Sequence, residues 1–222
     1  MLLLLIIMCG VCGLAFWFAR RAGVNGWIGR YLLMMFVNSL AVTLPLIFTS
    51  VEASLYSALY VAALVPLLAT IGVLAVGWLW KSEPGDRWLI VGACLLQCAL
   101  TCSFLMSRAE TTWFRGIPWQ VILFIVQYGI LSSAGIVALA SEKFLDAQYR
   151  PIAHLLGTMW FVQAMEKALF VSGFAYHWQT WLELNRWLPA VIVILFMVGL
   201  LFKFKSFEFE SLLQRAQAER AK

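Results

Sequence analysis

PIAHLLGTMWFVQAMEKALFVSGFAY, from Pro151 to Tyr176, decides how the chain is read. At a rise of 1.5 Å per residue it exceeds the roughly 20 residues that cross the ~30 Å apolar core of a bilayer. It also carries an acid and a base, Glu166 and Lys167, well inside its apolar run. The rest of the chain reads as further apolar helices around this one.

Composition supports that reading. The 222 residues are 63% hydrophobic and 12% charged, with a mean hydropathy of +0.88. A water-soluble domain carries about 45–50% apolar and about 25% charged residues, so the solvent expected for this surface is lipid. Cys9, Cys12, Cys94, Cys98 and Cys102 all lie in apolar stretches and do not form the framework of a small secreted disulfide protein. The formal net charge of +5 is attributed to membrane topology rather than to a nucleic-acid partner.

Seven apolar segments are expected, each helical because lipid offers open backbone groups no partner. They run Leu2–Phe18, Tyr31–Thr49, Leu55–Trp80, Trp88–Met106, Pro118–Ala140, Pro151–Tyr176 and Trp187–Phe204. The first has no basic residue before its apolar run and has Arg20 and Arg21 after it, which suits a retained anchor with its N-terminus outside. That orientation puts Arg20, Arg21, Arg30, Lys81, Arg87, Lys143, Arg150, Lys203, Lys205, Arg215, Arg220 and Lys222 inside, and Arg108, Arg115 and Arg186 outside. Twelve cations against three is a positive-inside bias. The expected fold is therefore an all-α integral membrane protein: a seven-transmembrane-helix bundle over 1–204, N-terminus outside, C-terminus cytoplasmic. A short amphipathic tail helix over 205–222 follows. Phe209, Leu212, Leu213 and Ala216 would form its apolar face, lying on the inner leaflet or docking a cytoplasmic partner. Pro45, Pro66 and Pro189 are expected to kink the second, third and seventh segments.

Glu166 and Lys167 are the foremost candidate site residues. Neighbours on a helix point about 100° apart and face one another poorly, so each is expected to find another partner. Gln163 lies within reach of either, and Lys167 can snorkel towards the outer headgroups, because residue 166 sits about 22 Å from the inner end. Gln127 and Asn38 are further candidates among the polar residues inside helices; such groups tie helices together or line a small pocket. His154 is expected to bond Thr158 or a group at the inner face.

His154 and His177 are 23 residues apart, about 34 Å along a helix, so one bis-His haem cannot use both. A retinal Schiff base is not expected either. Microbial rhodopsins place their lysine in the last helix and a carboxylate in the third; here the lysine is in the sixth segment and the third has neither Asp nor Glu. The cofactor is thus left open. Cys9 and Cys12 form a C-x-x-C motif mid-helix, where lipid disfavours thiolates. Cys94, Cys98 and Cys102 repeat every four residues, and with Gly129 and Ser133 they read as small residues that let helices approach. Glu52, Glu110, Trp113, Trp178, Trp181 and Glu183 form a candidate outer rim for a ligand or partner.

No nucleophile–base–acid set, phosphate loop or metalloprotease helix occurs, and the chain is expected not to be an enzyme. The leading expectation is a non-catalytic multi-pass subunit that packs or scaffolds a larger membrane assembly, in contact with lipid and other membrane subunits. A seven-helix sensor that binds a small ligand from outside and signals through the C-terminal helix is the alternative. A small secondary transporter comes third, because the two halves show no matching motifs. The absence of Asn-x-Ser/Thr acceptors and targeting segments suits a bacterial cytoplasmic (inner) membrane.

Overall fold

A computed structural model describes residues 2–24, 26–48, 53–108, 119–175, 184 and 187–220. Among the described residues there are seven α-helices, one short 3-10 helix and no strand. The helices are α1 (Leu2–Arg21), α2 (Gly26–Ile47), α3 (Ala53–Lys81), α4 (Pro84–Arg108), α5 (Trp119–Ser141), α6 (Arg150–Ala175) and α7 (Leu188–Arg220). The 3-10 turn, Glu142–Phe144, follows α5 directly. Five stretches among the described residues are long and apolar enough to cross a membrane: α1, α2, Ala58–Lys81, Ile122–Phe144 and Leu188–Glu210. α6 is not one of these five, since His154, Gln163, Glu166 and Lys167 interrupt its apolar run.

Local chemistry accounts for the helix ends that differ from the sequence reading. α2 begins at Gly26, five residues early, and α4 begins at Pro84 rather than Trp88. Proline suits a first helical turn, where its missing N–H has no partner to lose. The same reason places Pro189 in the first turn of α7, where it opens the helix instead of kinking it. Helices α2 and α3 continue through Pro45 and Pro66. α1 stops at a Schellman turn: Gly23 takes φ +67°, Val24 N–H donates to Ala19 O at 3.0 Å and Gly23 N–H to Arg20 O at 3.3 Å. The tail from Lys205 prolongs α7 as far as Arg220. The side chains of Leu212, Leu213 and Ala216, the expected apolar face, lie outside the described residues.

The chain forms two compact units, Met1–Thr70 with Val193–Lys222, and Ile71–Ile192. In the first, α1 packs on α2. Phe36 covers Gly13 so closely that a Cβ there would lie 3.1 Å from its ring. The Thr43 hydroxyl donates to Ser39 O at 2.7 Å and lies 3.4 Å from Leu5 O across the pair. Tyr31, Leu32 and Cys12 are fully buried.

In the second unit, α5 and α6 pack closest. A Cβ on Gly135 would come within 3.0 Å of Gly157 O and Phe161 N, and one on Gly157 within 2.8 Å of the Ala138 Cβ. This contact carries the close approach that the sequence reading gave to Gly129, whose Cβ position is open. Ser133 does act as expected: Cys94 Sγ donates to its carbonyl and Cys98 Sγ meets its hydroxyl, both at 3.6 Å. The side chain of Cys102 lies outside the described residues. Trp160, fully buried, stacks on Trp78 at 5.8 Å between centroids, an arrangement worth about 0.5–1.5 kcal/mol beyond the area it buries.

A polar corner closes one end of this unit. Ser82 and Ser141 share a buried hydrogen bond of 3.1 Å. Lys143 meets Asp86 at 2.9 Å and Lys81 meets Asp146 at 3.7 Å. Arg150 Nε donates to Leu145 O at 2.9 Å. Leu145 takes an extended conformation and is buried, so the connector is an ordered anchor.

The α5–α6 contact makes a direct prediction. Gly157→Ala should destabilise the purified protein by about 1–3 kcal/mol, since a methyl has no room there. Gly10→Ala, at a position open to 4 Å, should be neutral or stabilise by about 0.5–1 kcal/mol through helix propensity. Thermal unfolding in detergent reads both; equal effects would mean that α5 and α6 do not meet at Gly135 and Gly157.

Candidate functional site

The register of α5 against α6 builds the site. The helices run antiparallel, with Gly135 against Gly157 and Phe124 against Phe170, ring centroids 4.6 Å apart. Between these two contacts, Gln127 and Tyr128 fall level with the turn of α6 that carries Gln163, Glu166 and Lys167. From α4, Gln97 Nε2 donates to the Tyr128 hydroxyl at 2.7 Å. One level of the unit therefore collects six polar side chains from three helices. The side chains that flank it, Leu131, Ala134, Trp160 and Val171, are apolar and buried.

Glu166 and Lys167 are both buried, at 3% and 8% exposure. They pair with each other: Lys167 Nζ lies 2.7 Å from Glu166 Oε2. This corrects the expectation that adjacent helical residues pair poorly. The lysine stem is long enough to bend back, and in apolar surroundings the bend costs less than two separated charges, each of which loses several kcal/mol on leaving water. The ammonium also lies 4.9 Å over the Phe124 ring, a cation–π contact worth more when desolvated. Lys167 is thus turned onto α5.

Beyond the Lys167 ammonium beside Oε2, the Glu166 carboxylate meets no hydrogen-bond donor among the described residues. A buried carboxylate ordinarily fills its lone pairs with donors. This one keeps room to accept a further hydrogen-bond donor.

Of the other candidates, Gln127 and Gln163 belong to this layer and the rest lie apart from it. Gln127 is buried at 3% exposure and level with the pair; Gln163 is half-buried one turn before it. His154 Nδ1 meets Glu142 Oε2 at 2.9 Å, so its partner is a residue of the connector before α6 rather than Thr158. It lies about 18 Å along α6 from Glu166. Asn38 belongs to the other compact unit, where its buried Oδ1 has no hydrogen-bond partner among the described residues. Cys12 is fully buried and Cys9 half-buried, both as free thiols. The rim residues Glu52, Glu110, Trp113, Trp178, Trp181 and Glu183 lie outside the described residues, as does His177. Sequence reasoning did not single out Phe124 or Tyr128. Tyr128 carried a signal, because it adjoins Gln127 in an apolar helix; Phe124 is one phenylalanine among sixteen and carried none.

Removing one member of the pair should cost more than removing both. Lys167→Met leaves a buried carboxylate unanswered and should destabilise by about 3–5 kcal/mol, whereas Glu166→Gln with Lys167→Met should recover most of that loss. Unfolding of the two single variants and the double variant closes the cycle; purely additive effects would show that the two side chains do not interact.

Comparison of the chain with protein-family models, with curated proteins and with solved structures gives no match, so the site is interpreted from its own geometry.

Proposed function

We propose that the chain is a non-catalytic integral membrane protein of sensor or receptor type, and that the polar layer around Glu166 and Lys167 is its point of recognition. The observation that carries this reading is the Glu166 carboxylate, buried, with Oε2 answered by Lys167 alone and Oε1 without a hydrogen-bond partner among the described residues. An ionisable group inside a membrane segment is expensive to keep. A purely structural pair would be expected to fill the remaining lone pairs as well. A small ligand with an O–H or N–H donor would complete the set, and in doing so would change the forces between α5 and α6.

In this reading the chain spans a bacterial cytoplasmic membrane seven times, with its N-terminus outside and the end of α7 in the cytoplasm. The twelve-to-three distribution of cations supports that orientation.

One observation favours a second reading, a subunit of a larger membrane assembly. α4 packs chiefly on α5, and its Leu89, Leu96 and Leu100 stay 60–73% exposed. That face is free for lipid or for another membrane chain. Extraction in a mild detergent distinguishes the two: a stoichiometric companion chain supports the subunit reading, and a lone chain supports the sensor.

The sensor reading is tested by a thermal-shift screen of small apolar compounds bearing hydroxyl or amine donors. Compounds that stabilise the wild-type protein by several degrees should lose that effect on Glu166→Gln. Compounds that act equally on both proteins would remove the polar layer from the function. Orientation is tested separately by attaching reporters at each end of the chain: a cytoplasmic reporter should be active only at the C-terminus, and activity at the N-terminus would reverse the topology.

A further inference from the structure

The α1–α2 turn and the part of α7 beside it carry a set of charges that neither the polar layer nor the sensor reading uses. Arg20 and Arg21 end α1, and Arg30 lies in the first turns of α2. Arg21 Nη1 reaches Glu208 Oε1 on α7 at 3.9 Å, which brings Lys203 and Lys205, one to two turns earlier, to the same end of this unit. All five cations are exposed. Glu208 meets Arg21, and Glu210 follows it on α7.

Exposed aromatic rings are interleaved with these cations. The Arg21 guanidinium lies 4.4 Å over the Trp17 ring, and that of Arg30 lies 4.4 Å over Trp27. Trp17 and Trp27 remain almost half exposed. Phe202, beside Lys203, is 72% exposed. A guanidinium stacked on an indole is held by its face and keeps its N–H edge for an acceptor. Tryptophan rings occupy the headgroup level of a bilayer, and apolar rings the boundary beneath it. The geometry thus joins phosphate-directed donors to rings suited to the acyl–headgroup boundary.

We infer that this corner is a binding surface for the headgroups of anionic phospholipids, with the Arg21 and Arg30 guanidinium groups as its phosphate contacts. Charge complementarity carries the assignment: the exposed Arg20, Arg21, Arg30, Lys203 and Lys205 outnumber Glu208 and Glu210 at this end of the unit, and a zwitterionic headgroup would leave that excess unanswered. Glu208 competes with the lipid phosphate for Arg21. The placement of this surface on the inner leaflet rests on the topology proposed above, but its preference for anionic lipid does not.

The test uses the purified full chain in mixed micelles and follows its melting temperature against the mole fraction of phosphatidylglycerol, with phosphatidylcholine of the same acyl chains as the reference. Phosphatidylglycerol should stabilise the protein at low mole fraction and phosphatidylcholine should not. Replacing Arg21→Gln and Arg30→Gln together should move the midpoint to roughly ten- to thirtyfold more phosphatidylglycerol, about fivefold for each cation lost. Glu208→Gln should move it the other way, a gain that misfolding cannot mimic. Raising the salt concentration should weaken the effect. Equal stabilisation by both lipids, or a midpoint that none of these variants shifts, would overturn the proposal. So would equal stabilisation by inorganic phosphate at matched concentration, which would mark the corner as a site for a free anion rather than a lipid surface. The sensor reading stands or falls independently, because Glu166→Gln leaves this corner intact.

Discussion

A carboxylate and an ammonium taken out of water must answer each other or be neutralised. That constraint shapes the second compact unit. Glu166 and Lys167 are sequence neighbours on one helix, an arrangement that does not favour contact, yet they meet at 2.7 Å. Phe124 on α5 supplies the other side of the ammonium. The environment thus imposes a conformation that helical geometry alone would discourage.

The pair depends on how closely its two helices approach. α5 and α6 come together because Gly135 and Gly157 place backbone against backbone. In lipid, where apolar side chains gain little by leaving their surroundings, such close contact and interhelical hydrogen bonds hold helices together. The polar corner at Ser82, Ser141, Asp86 and Lys143 fixes one end of the same unit. The polar layer lies on the other side of the Gly135–Gly157 contact from that corner, and is held in register between the two glycines and the Phe124–Phe170 contact. Its members are tied to neighbouring helices, as Gln97 is to Tyr128, while the Glu166 oxygens keep unfilled capacity.

Much of this was legible in the sequence. Hydropathy and length gave the helices, because membrane segments must satisfy their own backbone. Arg20 and Arg21 marked the end of α1, and Glu166 and Lys167 stood out because charge is rare in such a run. Other features depend on three-dimensional contact and were not legible. The ion pair between neighbours follows from burial, which periodicity does not report. The choice of Gly135 and Gly157 over Gly129 follows from which face of α5 meets α6. Pro189 reads in the sequence as a kink, but it opens α7, as Pro84 opens α4, since only the location of a helix end tells these roles apart. His154 finds Glu142 because the connector folds back as a 3-10 turn onto α6.

The most direct measurement is a through-space correlation spectrum of the isotope-labelled protein in lipid bilayers, by solid-state nuclear magnetic resonance. It asks what the Lys167 Nζ nitrogen is near. An internal pair predicts a cross-peak from that nitrogen to the Glu166 side-chain carboxyl carbon, lost in Glu166→Gln, and none to lipid phosphorus. A correlation of Lys167 with lipid phosphorus and none with Glu166 would mean that the lysine snorkels to the headgroups, and a buried acid–base pair would no longer be the centre of this protein.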